Sequence, residues 1–365
     1  MINLQFFPSR RVAFYMARMF VLRSLAVLAA LVLILMTLDL LAESGKILAN
    51  PANGDGELWR YVSLRVPQLI ARFLPFAVLL GTLITLTTLN QHSEVVSMKA
   101  AGISAHQIIA PLMVASLGIA AVSFAFNERI VTRSTETLSA WEDAEYGPVP
   151  RDTGVINNVW VRHGDDLIFA RQAQGRGDST RLAGLTIYDR DRETLERIVQ
   201  ARTARREAGL WRLADVTLFD VDQGAKSFAS TLDYGRGLDP TQFTLSHVNA
   251  DEQDFARLKD SIAQLRVAGR PTAALESGLW HKLSGPLSSV LMPLLAAVAA
   301  FGLARAGQVL LRAVLGMSLG FAYFVVDNFA LAMGNLGAYP PLLAAWAPFA
   351  LFLLIGEAVL IRTEE

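Results

Sequence analysis

Apolar residues gather in six blocks along the chain, each long enough to cross the roughly 30 Å hydrocarbon layer of a bilayer. They predict spans at about 20–42, 66–89, 105–127, 280–304, 313–334 and 342–361. The last two come from one run, Ala313 to Ile361, whose only charges are Asp327 and Glu357 and which is too long for a single crossing. GNLGAYPP at 334–341 breaks it, because Gly, Asn and paired Pro make a turn. Between the third and fourth spans, residues 128–275 hold no run that could cross a membrane, so this block reads as an inserted soluble domain. Arg129 to Tyr146 has the texture of a helix. From Val155 the pattern shifts to short alternating segments: Val155–Arg162, Asp166–Ala173, Leu182–Asp189, Leu195–Arg205, Leu210–Asp220 and Phe228–Leu232, separated by Gly and Asp turn signals. In LWRLADVTLFD, strict alternation puts Leu210, Arg212, Ala214, Val216 and Leu218 on one face and Trp211, Leu213, Asp215, Thr217 and Phe219 on the other. Both faces then carry apolar residues, which suits a two-layered roll with an apolar interior. Asp251 to Gly269 reads as an amphipathic helix leading back to the membrane, with Phe255, Leu258, Ile262 and Leu265 at helical spacing.

Composition agrees with this layout: 53% of the 365 residues are apolar and 18% charged, the balance of a polytopic membrane protein. The net charge is zero, which leaves no bulk electrostatic case for nucleic acid. Absence of cysteine removes disulfides, thiolate metal sites and cysteine nucleophiles together. Charge position sets the orientation. Arg10, Arg11, Arg18 and Arg23, with no acidic residue before position 24, mark a cytoplasmic lead-in helix, and Arg305 and Arg312 bracket a second cytoplasmic loop. The run from Ser24 to Ala42 is too long for a cleaved signal. Both termini are then inside and the inserted domain outside, with Lys46 to Arg65 an outer loop built on NPANGDG.

Between the second and third spans lies a polar stretch, NQHSEVVSMKAAGISAHQIIAP, residues 90–111. Ser93 is placed to cap a short helix, Glu94 falls in its first turn and Gly102 stops it, giving a helix of about 13 Å. Ser104 and Gln107 have capping-box spacing and start the next helix at once, so the chain turns a sharp corner. No nucleotide-binding loop is present, since ESGKIL lacks both the first Gly and the final hydroxyl of that motif. The five histidines, His92, His106, His163, His247 and His281, have no metal-ligand spacing, and no G-x-S-x-G occurs. Arg72 falls about two turns inside its span, where it either snorkels to headgroups or meets an anion. Asp327 is the leading intramembrane ionisable group, with Asn328 or a neighbouring helix as its bland partner.

The words EVVSMKAAGIS, WHKLSGPL, GMSLGFAYFVVDN and LGAYPPLLAAWAP together resemble the LptF/LptG family, permease subunits of the lipopolysaccharide exporter of Gram-negative bacteria, and the phrase ending in Asp327 leans toward its LptG branch. The resemblance implies an α+β membrane protein, with six transmembrane helices arranged 3+3 around an inserted periplasmic β-jellyroll domain, in the inner membrane. Its parts would be an N-terminal transmembrane half at 1–127, the jellyroll with flanking helices at 128–275 and a C-terminal transmembrane half at 276–365. It implies that the corner is a coupling helix, residues 93–102, presenting Glu94, Val95, Met98, Lys99 and Gly102 to a separate ATPase. The chain itself would need no cofactor; ATP and Mg would be used by that partner. Implied partners are a homologous LptF-type permease, an LptB-type ATPase dimer, LptC/LptA-type periplasmic jellyroll proteins and lipopolysaccharide itself. An anionic glycolipid calls for cations near the outer headgroup plane, and Lys46, Arg65, Arg72, Arg129 and Arg133 stand at that depth with His281 and Lys282 opposite, joined by Asp327 in the span. One departure concerns positions where LptG relatives carry lysine or arginine; here they are Met36, Ala42, Glu43, Leu138 and Trp141. Two other readings compete: a mechanotransmitting ABC subunit that moves no lipid, and an intramembrane enzyme acting through Asp327 and Glu357.

Overall fold

A computed structural model describes residues 8–148, 155–175, 179–191, 194–207, 209–235, 238–244, 248–267, 270–302 and 309–362. The chain divides into two compact units, one comprising Met1–Val149, Ala250–Lys259 and Ala273–Glu365 and the other Pro150–Asn249 and Asp260–Thr272.

Among the described residues, the first unit contains six helices long and apolar enough to cross a membrane. Helix α1 (Arg10–Ala49) and helix α2 (Asp55–Gln91) hold 40 and 37 residues, so each is about 55–60 Å long and overruns its predicted span at both ends. The outer loop expected over Lys46–Arg65 is therefore corrected to the five residues Asn50–Gly54. Only NPANG carries turn chemistry; the flanking GKILA and ELWRYV have helix-forming residues and continue the helices. Asn53 staples the turn, its side-chain amide donating to the carbonyls of Ile47 and Tyr146 at 2.8 Å each. From Met16 to Met36 the buried positions of α1 are Met16, Phe20, Ser24, Leu28, Val32 and Met36, a strict four-residue ridge of the kind that packs into a facing helix groove, and Ile47 is buried further on.

After α3 (Glu94–Ala100), helix α4 (Ala105–Phe126) passes through a π turn (Asn127–Val131) directly into α5 (Thr132–Asp143). The third span and the helix expected after it are thus one continuous rod, Ala105–Asp143. In the C-terminal half, α8 (Ala273–Ala297) starts seven residues before its predicted span and is the most enclosed of the six, whereas α1 and α9 (Val309–Asn335) keep most of their surface outside the unit. Helix α10 (Pro341–Arg362) completes the bundle after the predicted turn. The loop expected between Arg305 and Arg312 lies largely outside the described residues.

The second unit is a six-stranded antiparallel sheet: β1 (Val155–His163), β2 (Asp166–Gln174), β3 (Arg181–Asp191), β4 (Thr194–Glu207), β5 (Leu210–Asp220) and β6 (Lys226–Tyr234). Each strand pairs with the next in sequence, so the sheet is a meander. One face forms the core, from Val159 and Val161 through Ile168, Ile187 and Val199 to Leu213 and Val216. The short helix α6 (Thr241–Thr244) adds Phe243, fully buried edge-on against Trp211. Helix α7 (Phe255–Val267), whose residues up to Lys259 fall in the first unit, starts four residues after the expected Asp251 and buries Leu258, Ile262 and Leu265 at helical spacing.

The alternation expected in β5 is overturned. Trp211, Leu213 and Val216 are all buried, so the inward set changes phase by one residue between Leu213 and Val216. Asp215 takes a left-handed φ of 54°, and Asn158 on β1 and Gly184 on β3 do the same at 53° and 64°. These residues lie on one line across the sheet where pairing skips a step, from Asn157↔Gln172 and Val159↔Ala170 to Ala201↔Val216 and Thr203↔Ala214. The phase changes on neighbouring strands too, in Ala170 and Ala173, Leu182 and Leu185, Ala201 and Ala204. What strict alternation assigns to two apolar faces is one inner face crossed by a kink. Asp tolerates positive φ and β-branched residues do not. Asp215→Val is therefore expected to destabilise the sheet by about 1–3 kcal/mol and Asp215→Gly to be near neutral, as read by thermal unfolding of the purified protein; equal stability of the two variants would refute the kink's role.

Candidate coupling and lipid-binding sites

The polar corner is a seven-residue helix, α3, about 10 Å long rather than 13. The cap expected from Ser93 is corrected. Because α2 runs on to Gln91, little chain is left for the reversal; Ser93 is forced to a left-handed φ of 60° and its side chain caps nothing. Instead its carbonyl accepts from Ser97 Oγ at 3.0 Å. The other end is built as the residues require. Gly102, at φ 81°, lets the Ile103 amide reach the Met98 carbonyl at 3.0 Å and its own amide reach Lys99 at 2.9 Å, which closes the helix with paired reverse bonds. Ser104 and Gln107 then make both bonds of a capping box and launch α4.

The corner's two faces differ. Val95 is buried and Met98 half-buried against the helical core, while Lys99 and Gly102 are exposed. Sequence reasoning passed over Val96, whose side chain is 60% exposed on the open face. Glu94 is half-buried and accepts a hydrogen bond from the Tyr15 hydroxyl of α1 at 3.3 Å. Nothing in the local pattern announces that partner, 79 residues away.

At the opposite end of the helices a cavity of about 870 Å³ is lined by Asp39, Glu43, Lys46, Tyr61, Arg65 and Tyr146, among others. Arg65 grips Asp39 through two nitrogens, at 3.0 and 3.2 Å, and Tyr61 donates to the same carboxylate at 2.7 Å. Lys46 pairs with Glu43 at 2.8 Å, and the Tyr146 hydroxyl donates to Glu43 at 3.0 Å. Burial, and then the bond to Glu43, push the Tyr146 hydroxyl well above its ordinary range, so it stays a donor at any physiological pH. Both cations predicted here are therefore matched by carboxylates. Arg72, Arg129 and Arg133 differ: they are exposed and make no ion pair among the described residues.

Asp327 is buried between α8 and α9, where His281 Nε2 lies 3.1 Å from its Oδ2. Of the two bland partners the neighbouring helix is the one found, through His281 of α8, while the Asn328 side chain donates to the Phe324 carbonyl instead. Lys282 lies 3.6 Å from Glu128, whose other oxygen accepts from the Phe255 amide at 2.6 Å. Glu357 stands apart from Asp327 with its own histidine, His106, at 3.4 Å.

The corner, the six spans and the inserted sheet meet in a single family description, lipopolysaccharide export system permease LptF/LptG, which matches residues 14–362. The chain belongs to the LptF/LptG family. Among its relatives is the lipopolysaccharide export system permease protein LptG of Escherichia coli K12, 26% identical over 311 residues, covering 83% of this chain and 84% of the relative. LptG of Haemophilus influenzae is 26% identical over 321 residues, covering 86% and 88%. As an LptF/LptG protein the chain is a multi-pass lipopolysaccharide export permease, a transporter subunit. The family match spans both halves of the bundle and the inserted sheet alike.

Proposed function

We propose that this chain is an LptG-type permease subunit of an ATP-driven exporter, which extracts lipopolysaccharide from the outer leaflet of the inner membrane and passes it to a periplasmic bridge. Both termini are cytoplasmic and the sheet periplasmic in this reading. It pairs with a homologous LptF-type permease and hands its cargo to LptC/LptA-type jellyroll proteins. An LptB-type ATPase dimer docks on the α3 corner, burns ATP with Mg, and meets Glu94, Lys99, Gly102 and the exposed Val96; Val95 and Met98 anchor the corner to the bundle. Arg72, Arg129 and Arg133 are the cations open to an anionic headgroup, with Lys46 and Arg65 balanced by their carboxylates.

The observation carrying this reading is the corner itself: a short helix closed at its C-terminal end, seated on the bundle by Val95 and holding an open face between two spans. Separate histidine partners for Asp327 and Glu357 weigh against a shared catalytic pair. The test is reconstitution in proteoliposomes with and without an LptB-type ATPase. Transfer of lipopolysaccharide to a soluble jellyroll acceptor is expected only with the ATPase, ATP and Mg all present. Transfer by the permeases alone would defeat the proposal.

A further inference from the structure

The inner face of the sheet is a buried apolar core, which excludes sugars. The outer face has a different character. Trp160 sits between the buried Val159 and Val161, so its ring faces outward, 54% exposed. It stacks on Tyr188 at 6.0 Å with 16° between the planes, and leans on Phe169 at 4.9 Å. Toward the other end of the strands that face turns cationic. Arg181 lies directly opposite Arg205, and Arg205 directly opposite Arg212, placing three guanidinium groups abreast on β3, β4 and β5. Arg212 is held by Glu207 and Asp233. Arg181, Arg205 and the nearby Arg171 make no ion pair among the described residues. Arg171 lies across Gly184, where an added Cβ would come within 2.9 Å of it, so the missing side chain is what clears its path.

Like charges directly opposed across strands cost stability, and a sheet that keeps them breaks a local rule of the kind that functional surfaces break. From Arg181 to Tyr188 the strand runs about 23 Å, longer than one sugar phosphate. We propose that the outer face of the sheet is a docking surface for the phosphate-bearing glycan of the exported glycolipid: guanidinium groups pair with its phosphates, and the Trp160 and Tyr188 rings stack on the apolar faces of its sugars. The identity of the occupant rests on the export function proposed above; the charge and aromatic pattern does not.

The test uses the full chain in nanodiscs, titrated with lipid-free phosphorylated core oligosaccharide and with the same oligosaccharide after dephosphorylation. The phosphorylated form is expected to bind. Arg181→Gln with Arg205→Gln is expected to weaken it about tenfold, while thermal stability holds or rises because the opposed charges are gone. Trp160→Ala is expected to weaken both forms. Unchanged binding in these variants, or quenching of Trp160 by brominated lipid in the disc, which would mark the face as bilayer-bound, overturns the proposal. Failure of the export reading would show differently, as oligosaccharide binding intact in a reconstituted complex that moves no lipopolysaccharide.

Discussion

Glu94→Lys is expected to leave the protein folded and inserted while ATP hydrolysis no longer drives export. The reasons lie in where the side chain sits. Glu94 lies at the start of a helix whose backbone is closed by bonds among Met98, Lys99, Gly102 and Ile103, none of which involves the carboxylate, so the corner keeps its shape without it. Val95, which seats the corner, is untouched. What changes is the sign of the charge offered to the ATPase proposed to dock there. Juxtaposing like charges at an interface costs several kcal/mol; even about 2 kcal/mol is roughly a thirtyfold loss of affinity. Glu94→Gln keeps an acceptor for the Tyr15 hydroxyl and is expected to lose far less. Pull-down of the ATPase and ATP-dependent release of lipopolysaccharide from proteoliposomes measure the two effects; a lysine variant that exports at the wild-type rate would remove Glu94 from the coupling surface.

The second large effect is on stability. A Cβ added at Gly81 would lie 2.7 Å from both the Cα and the amide nitrogen of Ser24, backbone atoms that cannot swing aside. Ser24 is the buried third position of the α1 ridge, so α1 and α2 touch there backbone to backbone. Small residues permit such approaches between membrane helices, where lipid supplies no hydrophobic drive to hold them together. Gly81→Ala must separate α1 from α2 or distort one of them, at about 1–3 kcal/mol. Gly118 in α4 meets nothing within 4 Å, and Gly118→Ala is expected to be neutral or to stabilise by up to about 1 kcal/mol through helix propensity. Unfolding of the two variants in detergent should therefore shift in opposite directions, and parallel shifts would mean that Gly81 is not a contact point.

Much of this architecture was legible because the signals are strong. Twenty-residue apolar runs, turn words such as NPANG and GNLGAYPP, and the capping spacing of Ser104 and Gln107 each carry their cause within a few residues. Helix ends were read less well: polarity marks where hydrocarbon stops, but α1 and α2 stop only at turn chemistry, several residues further on. The kink across the sheet escaped because two of its three left-handed residues are Asn158 and Asp215 rather than glycine, and an alternation count assumes an unbroken pleat. The long-range side-chain contacts were hidden for a different reason. His281 and Asp327 are 46 residues apart, and Tyr15 and Glu94 are 79 apart; pairs of that kind are set by helix packing, which one-dimensional periodicity does not encode.

The uninterrupted run from Ala105 to Asp143 has a mechanical implication. Hydrogen-bonded helix barely shortens under load, so these 39 residues act as a push-rod nearly 60 Å long. Its near end is fastened at the capping box beside α3, and its far end stands three residues before Tyr146, which is tied to Glu43 on α1. A displacement applied at the elbow is passed along the rod except where its hydrogen-bond ladder is interrupted, at Pro111 and at the π turn Asn127–Val131, where part of it can be taken up as bend or twist.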